Sequence, residues 1–427
     1  MRFYKSTTQG RRAMNGTGPP TKPTFSDLFC GVGGLSLGFQ AVGFDCTQAI
    51  DHDEAAVATY RANFMHPVNA AEITRQTTLV PVDVIVGGPP CQGFSSAGLR
   101  RKEDKRNTLV RVFAELVAQQ QPRAFVFENV EGFLTANNGD RVFDLLQPLI
   151  DAGYRIHLRK INAANYGIPQ HRKRVIAIGG LGWQPTFPEA THTAYGAPGA
   201  MAHLRYLQLC PPITDALHTL PQPHTFPPGI PSGHWMRQLS DTDIQRIRQL
   251  KPGQSMKDLP EHLWHNSYRR RAYRRVQDGT PTERRGGAPY GLRRLRGDQP
   301  AKTITSGAVT EFVHPTEDRF LTLRECARLQ TFPDDFVFCG TVGQIATQIG
   351  NAVPPSLGEI IARTLHSDLA HHWEDETLQR PGVLLSFVPT SGSGMSPTLQ
   401  AVCERVAAAF IDRTSQSFAA EQLSLWH

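Results

Sequence analysis

Paired cysteines, zinc-type cysteine motifs and long apolar runs are all missing from this sequence. Its seven cysteines are scattered and none forms a CxxC pair, so neither a disulfide framework nor a cysteine-rich metal site is indicated. No apolar run is long enough to span a bilayer. The N-terminus is polar and basic through Arg12 and lacks the apolar core of a signal peptide. We expect a cytoplasmic protein with reduced thiols, no metal and no membrane partner.

Positive charge is in excess. The 427 residues include 45 Lys and Arg against 38 Asp and Glu, which gives a net charge of +7. Such a balance favours a polyanionic partner. Hydrophobic residues make up 40% of the chain, which is enough for a substantial core.

Apolar runs and amphipathic stretches alternate from residue 24 to about residue 178. The runs predict strands at 24–29, 46–50, 82–86, 124–127, 154–161 and 175–178. The stretches predict helices at 35–42, 53–64, 108–119 and 142–152 and, further along the chain, at 324–331 and 356–372. Regular alternation is typical of an α/β fold, in which helices cover both faces of a doubly wound, mostly parallel sheet.

This pattern weakens after about residue 183, where prolines and arginine clusters with interleaved tyrosines replace it. The predicted divisions are a disordered arm at 1–21, a main domain at 22–186 plus 345–373, a smaller irregular domain at 187–344 and a C-terminal extension at 374–427. One amphipathic stretch in the extension, at 399–410, predicts a packing helix. The sequence assigns the extension no role.

A glycine-rich turn follows the first predicted strand. It has the letters FCGVGG (residues 29–34), and Asp51 ends the second predicted strand. Glycines let the backbone approach a ligand closely, and an acid at that strand end can accept ribose hydroxyls. A plain strand-to-helix turn is one alternative. A dehydrogenase is another, but no hydride-transfer constellation follows, whereas the chain does supply a nucleophile.

Cys91 stands where the strand at 82–86 stops at two glycines and two prolines. The carboxyl end of a parallel strand is where an α/β sheet presents its chemistry. Basic residues follow between positions 100 and 106, and positive charge favours the thiolate, which is the nucleophilic form. The alternative is a buried, inert cysteine in a turn.

Glu128 and the pair Arg172 and Arg174 are the other candidates. Glu128 ends a buried strand and should face the same crevice as Cys91, where burial would favour its protonated, hydrogen-bond-donating form. The two arginines alternate, so on a strand both would point to one face and could hold a phosphate, or a base and a carboxylate. The alternatives are a helix-capping or salt-bridging acid and a solvated edge strand.

In their order along the chain, these motifs resemble those of the bacterial cytosine-C5 DNA methyltransferases. They are DLFCGVGG (27–34), GGPPCQGFS (87–95), FENV (127–130), QHRKR (170–174), RFLTLRECARLQTFPDDFVF (319–338) and QIGNAV (348–353). The resemblance runs from about residue 24 to about residue 372. It implies the Rossmann-like class I fold of S-adenosylmethionine-dependent methyltransferases, and either the modification enzyme of a restriction–modification system or an orphan relative.

An S-adenosylmethionine site is implied by the same resemblance. The residues that it assigns to the cofactor are Phe29, Gly31, Val32, Gly33, Gly34, Asp51, Glu72, Ile73, Pro90 and Asn351. Asp51 would take the ribose hydroxyls, and Glu72 would meet the adenine amino group at a position where relatives often carry Asp. Asn351 would return from far along the chain to complete the pocket.

The resemblance further implies covalent catalysis on a cytosine flipped out of duplex DNA. Cys91 would add to C6, Glu128 would hydrogen-bond to or protonate N3, and Arg172 would contact the base and help to place Glu128. Arg174 and Gln170 would support the loop and the DNA backbone, and a mobile loop at 92–108 would close over the base. The residues assigned to DNA are Gln92, Ser95, Arg106, Gln170, Arg269, Arg270 and Arg271, the last three as phosphate anchors in a target-recognition region at 187–301.

Two rival hypotheses stay open. One is a tRNA cytosine-C5 methyltransferase, against which stand the long arginine-rich insert and the lack of a Cys-Phe-Thr tripeptide. The other is a catalytically inactive DNA-binding relative, against which stand intact Cys91, Glu128 and Arg172. We expect a nucleoid-associated monomer with double-stranded DNA as its partner. A cognate restriction endonuclease would act at the same DNA sequence without a stable complex.

Overall fold

A computed structural model of the chain describes residues 22–90, 109–193, 207–223, 233–270, 291–371, 381–389 and 395–410. The predicted arm at 1–21 and the predicted loop at 92–108 lie outside the described residues. So do five residues of the predicted site, namely Cys91, Gln92, Ser95, Arg106 and Arg271.

Eight strands form one mixed sheet. They are β1 (Thr24–Leu28), β2 (Asp45–Asp51), β3 (Val68–Ala70), β4 (Val84–Gly87), β5 (Ala124–Val130), β6 (Tyr154–Asn162), β7 (Lys173–Leu181) and β8 (Val383–Val388). Their order is β8-β6-β7-β5-β4-β1-β2-β3. β7 runs antiparallel to both β5 and β6, and the other pairs of this sheet are parallel. The predicted α/β fold with a mostly parallel sheet is therefore confirmed.

Nine α-helices of seven residues or more accompany the sheet in the described part of the chain. They are α1 (Gly34–Ala41), α2 (Glu54–Asn63), α3 (Leu109–Gln120), α4 (Asp140–Asp151), α5 (Asp241–Gln249), α6 (Leu323–Leu329), α7 (Val342–Asn351), α8 (Pro355–His371) and α9 (Pro397–Phe410). A 3₁₀-helical segment of nine residues, Glu131–Gly139, precedes α4. Shorter helical segments are Ala163–Tyr166, Ile213–Leu217, Met256–Asp258, Glu261–Leu263 and Ala308–Glu311. Three two-residue strand pairs join Gln170–His171 to Ala301–Lys302, His192–Thr193 to Gln208–Leu209 and Arg293–Arg294 to Phe312–Val313.

Helices cover both faces of the sheet, as the continuous apolar run of β4 requires. Val84 and Val86 pack into one core with α1 and α8, whereas Ile85 packs into a second core with α3 and α4. Successive strand residues face opposite sides. A strand covered on both faces therefore needs apolar residues at every position.

A third, smaller core lies away from the sheet. Its buried members are Ile247, Leu250, Met256, Leu259, Leu263, Leu292, Val313 and Phe320. Residues of α6 and the aromatic side chains of Phe332, Phe336 and Phe338 belong instead to the core shared with α1. The domain limits given by the sequence stay a prediction, and this packing suggests where the smaller unit is centred.

The described helices include none that is both long enough and apolar enough to cross a membrane. Across the described ranges, no group of three or more His, Cys, Asp or Glu side chains could hold a metal ion.

Candidate active site

The glycine turn connects β1 to α1 at the carboxyl edge of the sheet. Phe29, Gly31 and Gly33 have positive φ angles, of 59°, 54° and 88°. The N–H of Gly31 donates to Asp51 Oδ2 over 2.8 Å, and the N–H of Asp53 donates to Asp51 Oδ1 over 2.8 Å. Asp51 ends β2 and is 8% exposed. Its carboxylate is thus fixed against the turn by two backbone donors.

Asn351 lies two residues before the point at which the junction of α7 and α8 contacts the same turn. A β-carbon on Gly34 would overlap the carbonyl oxygen of Val353, so the two segments are in direct backbone contact. Asn351 is exposed and is the last residue of α7. Gly350 and Asn351 form the end of α7, a helix that the sequence analysis does not predict.

Glu72 and Ile73 follow β3, whose last residue pairs with Asp51. Glu72 is exposed and Ile73 is buried. Val32 is also buried, and Phe29 is half-buried. The predicted cofactor residues between Phe29 and Ile73 therefore lie at the carboxyl ends of β1, β2 and β3, whereas Pro90 follows β4 and Asn351 ends α7.

Glu128 lies beside the segment that leads to Cys91. Gly87 of β4 pairs with Phe127 of β5, and Glu128 Oε2 lies 3.1 Å from where a β-carbon of Gly88 would stand. The side-chain amide of Asn129 donates to the carbonyl of Pro89 over 3.0 Å. β5 thus holds the Gly-Gly-Pro-Pro segment at two successive points.

Arg174 forms an ion pair with Glu128, with 2.6 Å between Nε and Oε1. Glu128 is 7% exposed and Arg174 is 8% exposed. Burial lowers the pKa of the Arg174 guanidinium, and the charge of Glu128 opposes that effect. Oε1 is occupied by Arg174, whereas Oε2 is directed to Gly88.

Arg172 is fully buried and has different partners. Its guanidinium donates to the carbonyls of Ile304, Gly350 and Ala352 over 3.0, 2.9 and 2.8 Å. Burial lowers its pKa well below the ordinary value, and the nearby charge of Arg174 acts in the same direction. The expectation that Arg172 places Glu128 is corrected, because Arg174 makes that contact.

Gln170 is also fully buried. Its side-chain amide donates to the carbonyl of Leu329 over 2.8 Å and to Gln330 Oε1 over 2.7 Å, and its Oε1 accepts from the N–H of Ile304. The expected DNA contact of Gln170 is therefore corrected, since the pairing of residues 170–171 with 301–302 encloses this side chain.

The recognition-region arginines differ in how they are held. Arg269 donates to the carbonyl of Glu261 over 2.7 Å, and its Nε lies 3.7 Å from the Glu261 carboxylate. Arg270 is exposed, and its contact with the carbonyl of Asn266 is long, at 3.4 Å.

Two residues of the site escaped the sequence reasoning. For Asn129, the clue in the sequence is its position directly after Glu128. Asp27 lies beneath the glycine turn, where the hydroxyl of Ser36 donates to its Oδ2 over 2.6 Å and burial raises its pKa to about 7. An acid inside a buried strand is the signal that marks it.

Comparison with known proteins adds to this geometry. A family model described as C-5 cytosine-specific DNA methylase matches residues 23–367. The Type II methyltransferase M1.HphI of Haemophilus parahaemolyticus is 34% identical over 80% of this chain and 86% of its own length. The Type II methyltransferase M.XorII of Xanthomonas oryzae is 30% identical over 93% of this chain and 96% of its own length.

Solved structures match as well. A protein described as a DNA modification methyltransferase encoded within an E. coli prophage has a TM-score of 0.59 at 25% identity. The match covers 82% of this chain and 100% of that one. The S. pombe Dnmt2 methyltransferase has a TM-score of 0.50 at 15% identity, covers 82% of this chain and 99% of its own, and supports the fold alone.

Proposed function

Because the chain belongs to the family of C-5 cytosine-specific DNA methylases and is a DNA cytosine-5-methyltransferase of the Type II restriction–modification kind, we propose its mechanism as follows. It transfers a methyl group from S-adenosylmethionine to C5 of a cytosine flipped out of a specific duplex sequence. The reaction passes through a covalent adduct between Cys91 and C6 of the base.

One arrangement carries this proposal. Glu128 is held by Arg174 beside Gly88, and Asn129 holds Pro89, two residues before Cys91. An acid and the segment bearing a candidate nucleophile thus share one crevice at the carboxyl ends of β4 and β5. This is where an open α/β sheet binds its ligands.

The chemistry follows from the weakness of C5 as a nucleophile. Addition of the Cys91 thiolate to C6 moves an electron pair to C5, which is covalent catalysis. Glu128 hydrogen-bonds to or protonates N3 and so stabilises the charge that develops in the ring. Methyl transfer to C5 is followed by removal of the C5 proton, and its electron pair expels Cys91 and restores the double bond. The target carbon is hidden in the duplex stack, so the base must be flipped out.

Residues around the glycine turn fit a nucleoside with a charged tail. A β-carbon on Gly31 would meet no atom within 4 Å, so the turn has open space beside it. Asp51 would accept the ribose hydroxyls, Glu72 the adenine amino group, and Phe29, Pro90 and Asn351 would line the pocket. S-adenosylmethionine supplies an electrophilic methyl group when bound.

Duplex DNA would be read by the region at 187–301, with Arg270 and Arg271 as phosphate anchors. Gln92, Ser95 and Arg106 would contact the DNA next to the flipped base. A restriction endonuclease specific for the same sequence would be the functional companion, as expected for a Type II modification enzyme.

Bisulfite sequencing of plasmid DNA from cells that express the chain tests this proposal, with the Cys91→Ser variant as the matched control. We expect protected cytosines within one short sequence for the wild type and none for the variant. The covalent mechanism would be wrong if Cys91→Ser protected the same cytosines. Protection by neither protein, with methyl transfer to total RNA, would reassign the substrate to RNA.

A further inference from the structure

The C-terminal extension contributes two described elements beyond residue 367, where the family match ends. They are β8 and α9, which fall in the ranges 381–389 and 395–410. β8 pairs in parallel with β6 at the edge of the main sheet. We call residues 381–389 and 395–410 together the brace.

β8 is fixed to the sheet by a side chain as well as by its backbone. His157 Nδ1 and Ser386 Oγ are hydrogen-bonded at 2.7 Å, and Arg159 Nε donates to Ser386 Oγ over 3.0 Å. Ser386 is buried. The brace is therefore anchored at one end on β6.

α9 covers the segment Glu131–Gly139, which directly follows β5 and begins three residues after Glu128. Its buried side chains are Leu399, Val402, Val406 and Phe410. A β-carbon on Gly139 would lie 2.5 Å from Val402 Cγ2, so the helix contacts the backbone of this segment. Phe410 packs on Phe143 of α4, with 5.2 Å between ring centroids.

Arg405 holds the most constrained part of this segment. Asn137, Asn138 and Gly139 have φ angles of 47°, 56° and 89°, and three left-handed residues in a row need outside support. Arg405 Nη1 donates to the carbonyl of Asn138 over 2.6 Å, and Nη2 pairs with Asp140 Oδ1 at 3.0 Å. One guanidinium thus ties the turn to the start of α4.

The same segment packs against β5. Phe133 is fully buried, and its ring lies 5.2 Å from that of Phe127, the residue before Glu128. Glu131 pairs with Lys160 of β6 at 2.9 Å. The buried residues of α9, Phe133 and Phe127 therefore belong to one apolar core, and Phe127 directly precedes Glu128 in β5.

We propose that the brace positions Glu128 for catalysis and that Arg405 is a positioning residue acting through the turn at 137–139. This inference rests on the proposed roles of Cys91 and Glu128. A carboxylate displaced by a fraction of an ångström from its place at the base loses rate rather than substrate affinity.

The test is single-turnover trapping with a duplex that carries 5-fluorocytosine at the methylated position, in the presence of S-adenosylmethionine. Fluorine replaces the C5 proton whose removal releases Cys91, so each active molecule stays covalently bound. We expect Arg405→Ala to lower the rate constant of trapping about tenfold, with an unchanged amplitude and unchanged Kd values for DNA and S-adenosylmethionine. Arg405→Lys, which keeps one donor group and the charge, should recover part of the rate.

Arg363→Ala is the matched control. Arg363 is an exposed helical arginine paired with Glu359, away from the brace, and its loss should leave the rate constant unchanged. A reduced amplitude in Arg405→Ala with a wild-type rate constant would mean that Arg405 only stabilises the fold and would overturn the inference. An unchanged amplitude and rate constant would overturn it equally. A wild-type protein that forms no adduct would overturn the proposed function and this inference with it.

Discussion

Arg172 and Arg174 occupy alternate positions in the chain and have different partners. Arg174 pairs with Glu128, whereas Arg172 donates to three backbone carbonyls. Both are buried, but only Arg174 contacts a candidate catalytic group. Replacing Arg174 should therefore affect catalysis most, whereas replacing Arg172 should affect stability most.

We predict that Arg174→Gln lowers kcat about 100-fold, because Glu128 loses the cation that orients it. Arg172→Gln should lower the free energy of unfolding by about 3 kcal/mol, since buried carbonyls lose their donors. Urea unfolding and steady-state methylation of both variants separate the two effects. An unchanged kcat in Arg174→Gln, or an unchanged free energy of unfolding in Arg172→Gln, would contradict this division of roles.

At the scale of elements, the glycine turn and the α7–α8 junction are in close backbone contact. Gly34 begins α1, and its Cα approaches the Val353 carbonyl so closely that a side chain has no room. The exposed Asn351 is carried by that junction. The contact joins segments more than 300 residues apart in the sequence.

Gly34→Ala should therefore displace the junction and raise the Kd for S-adenosylmethionine about tenfold. This change in Kd corresponds to a binding free energy of roughly 1.4 kcal/mol, which is within the usual cost of overpacking. Isothermal titration calorimetry measures this directly. Gly343→Ala is the matched control, because a β-carbon at this position of α7 would meet no atom within 4 Å. An unchanged affinity in Gly34→Ala would show that the junction does not shape the cofactor pocket.

For the molecule as a whole, the net charge of +7 favours association with a polyanion. Not every arginine is free to bind a polyanion, because Arg269 and Arg294 are hydrogen-bonded to groups of the chain itself. Arg270 is exposed and weakly held. It is the better candidate for a phosphate contact among the described arginines of its cluster.

Arg270→Ala should weaken DNA binding similarly for cognate and unrelated sequences, and should reduce the slope of log K against log salt by about one. Fluorescence anisotropy over a salt series gives that slope. Arg363→Ala removes an equal charge outside the recognition region and should leave the slope unchanged. A wild-type slope in Arg270→Ala would exclude this residue from the DNA surface.

The sequence by itself predicted six of the eight strands, seven of the nine α-helices and the edge of the sheet at which the candidate site lies, but it missed β3, β8, α5 and α7. Apolar runs such as residues 82–86 mark strands buried on both faces, and chemistry gathers at their carboxyl ends because parallel strands end at one edge. The proximity of Glu128 to the Gly88–Pro89 segment follows from that rule alone. The observed ends of the helices and strands differ from the predicted ends by a few residues, because the ends are set by hydrogen-bond register rather than by hydrophobicity.

Only the tertiary structure decided which arginine meets Glu128, that Gln170 is enclosed, and that the extension adds an edge strand to the main sheet. The carbonyls that Arg172 binds lie 132, 178 and 180 residues away in the sequence. Strand periodicity fixes the face on which a side chain lies. The partner that it meets there depends on long-range packing, which no local pattern of residues records.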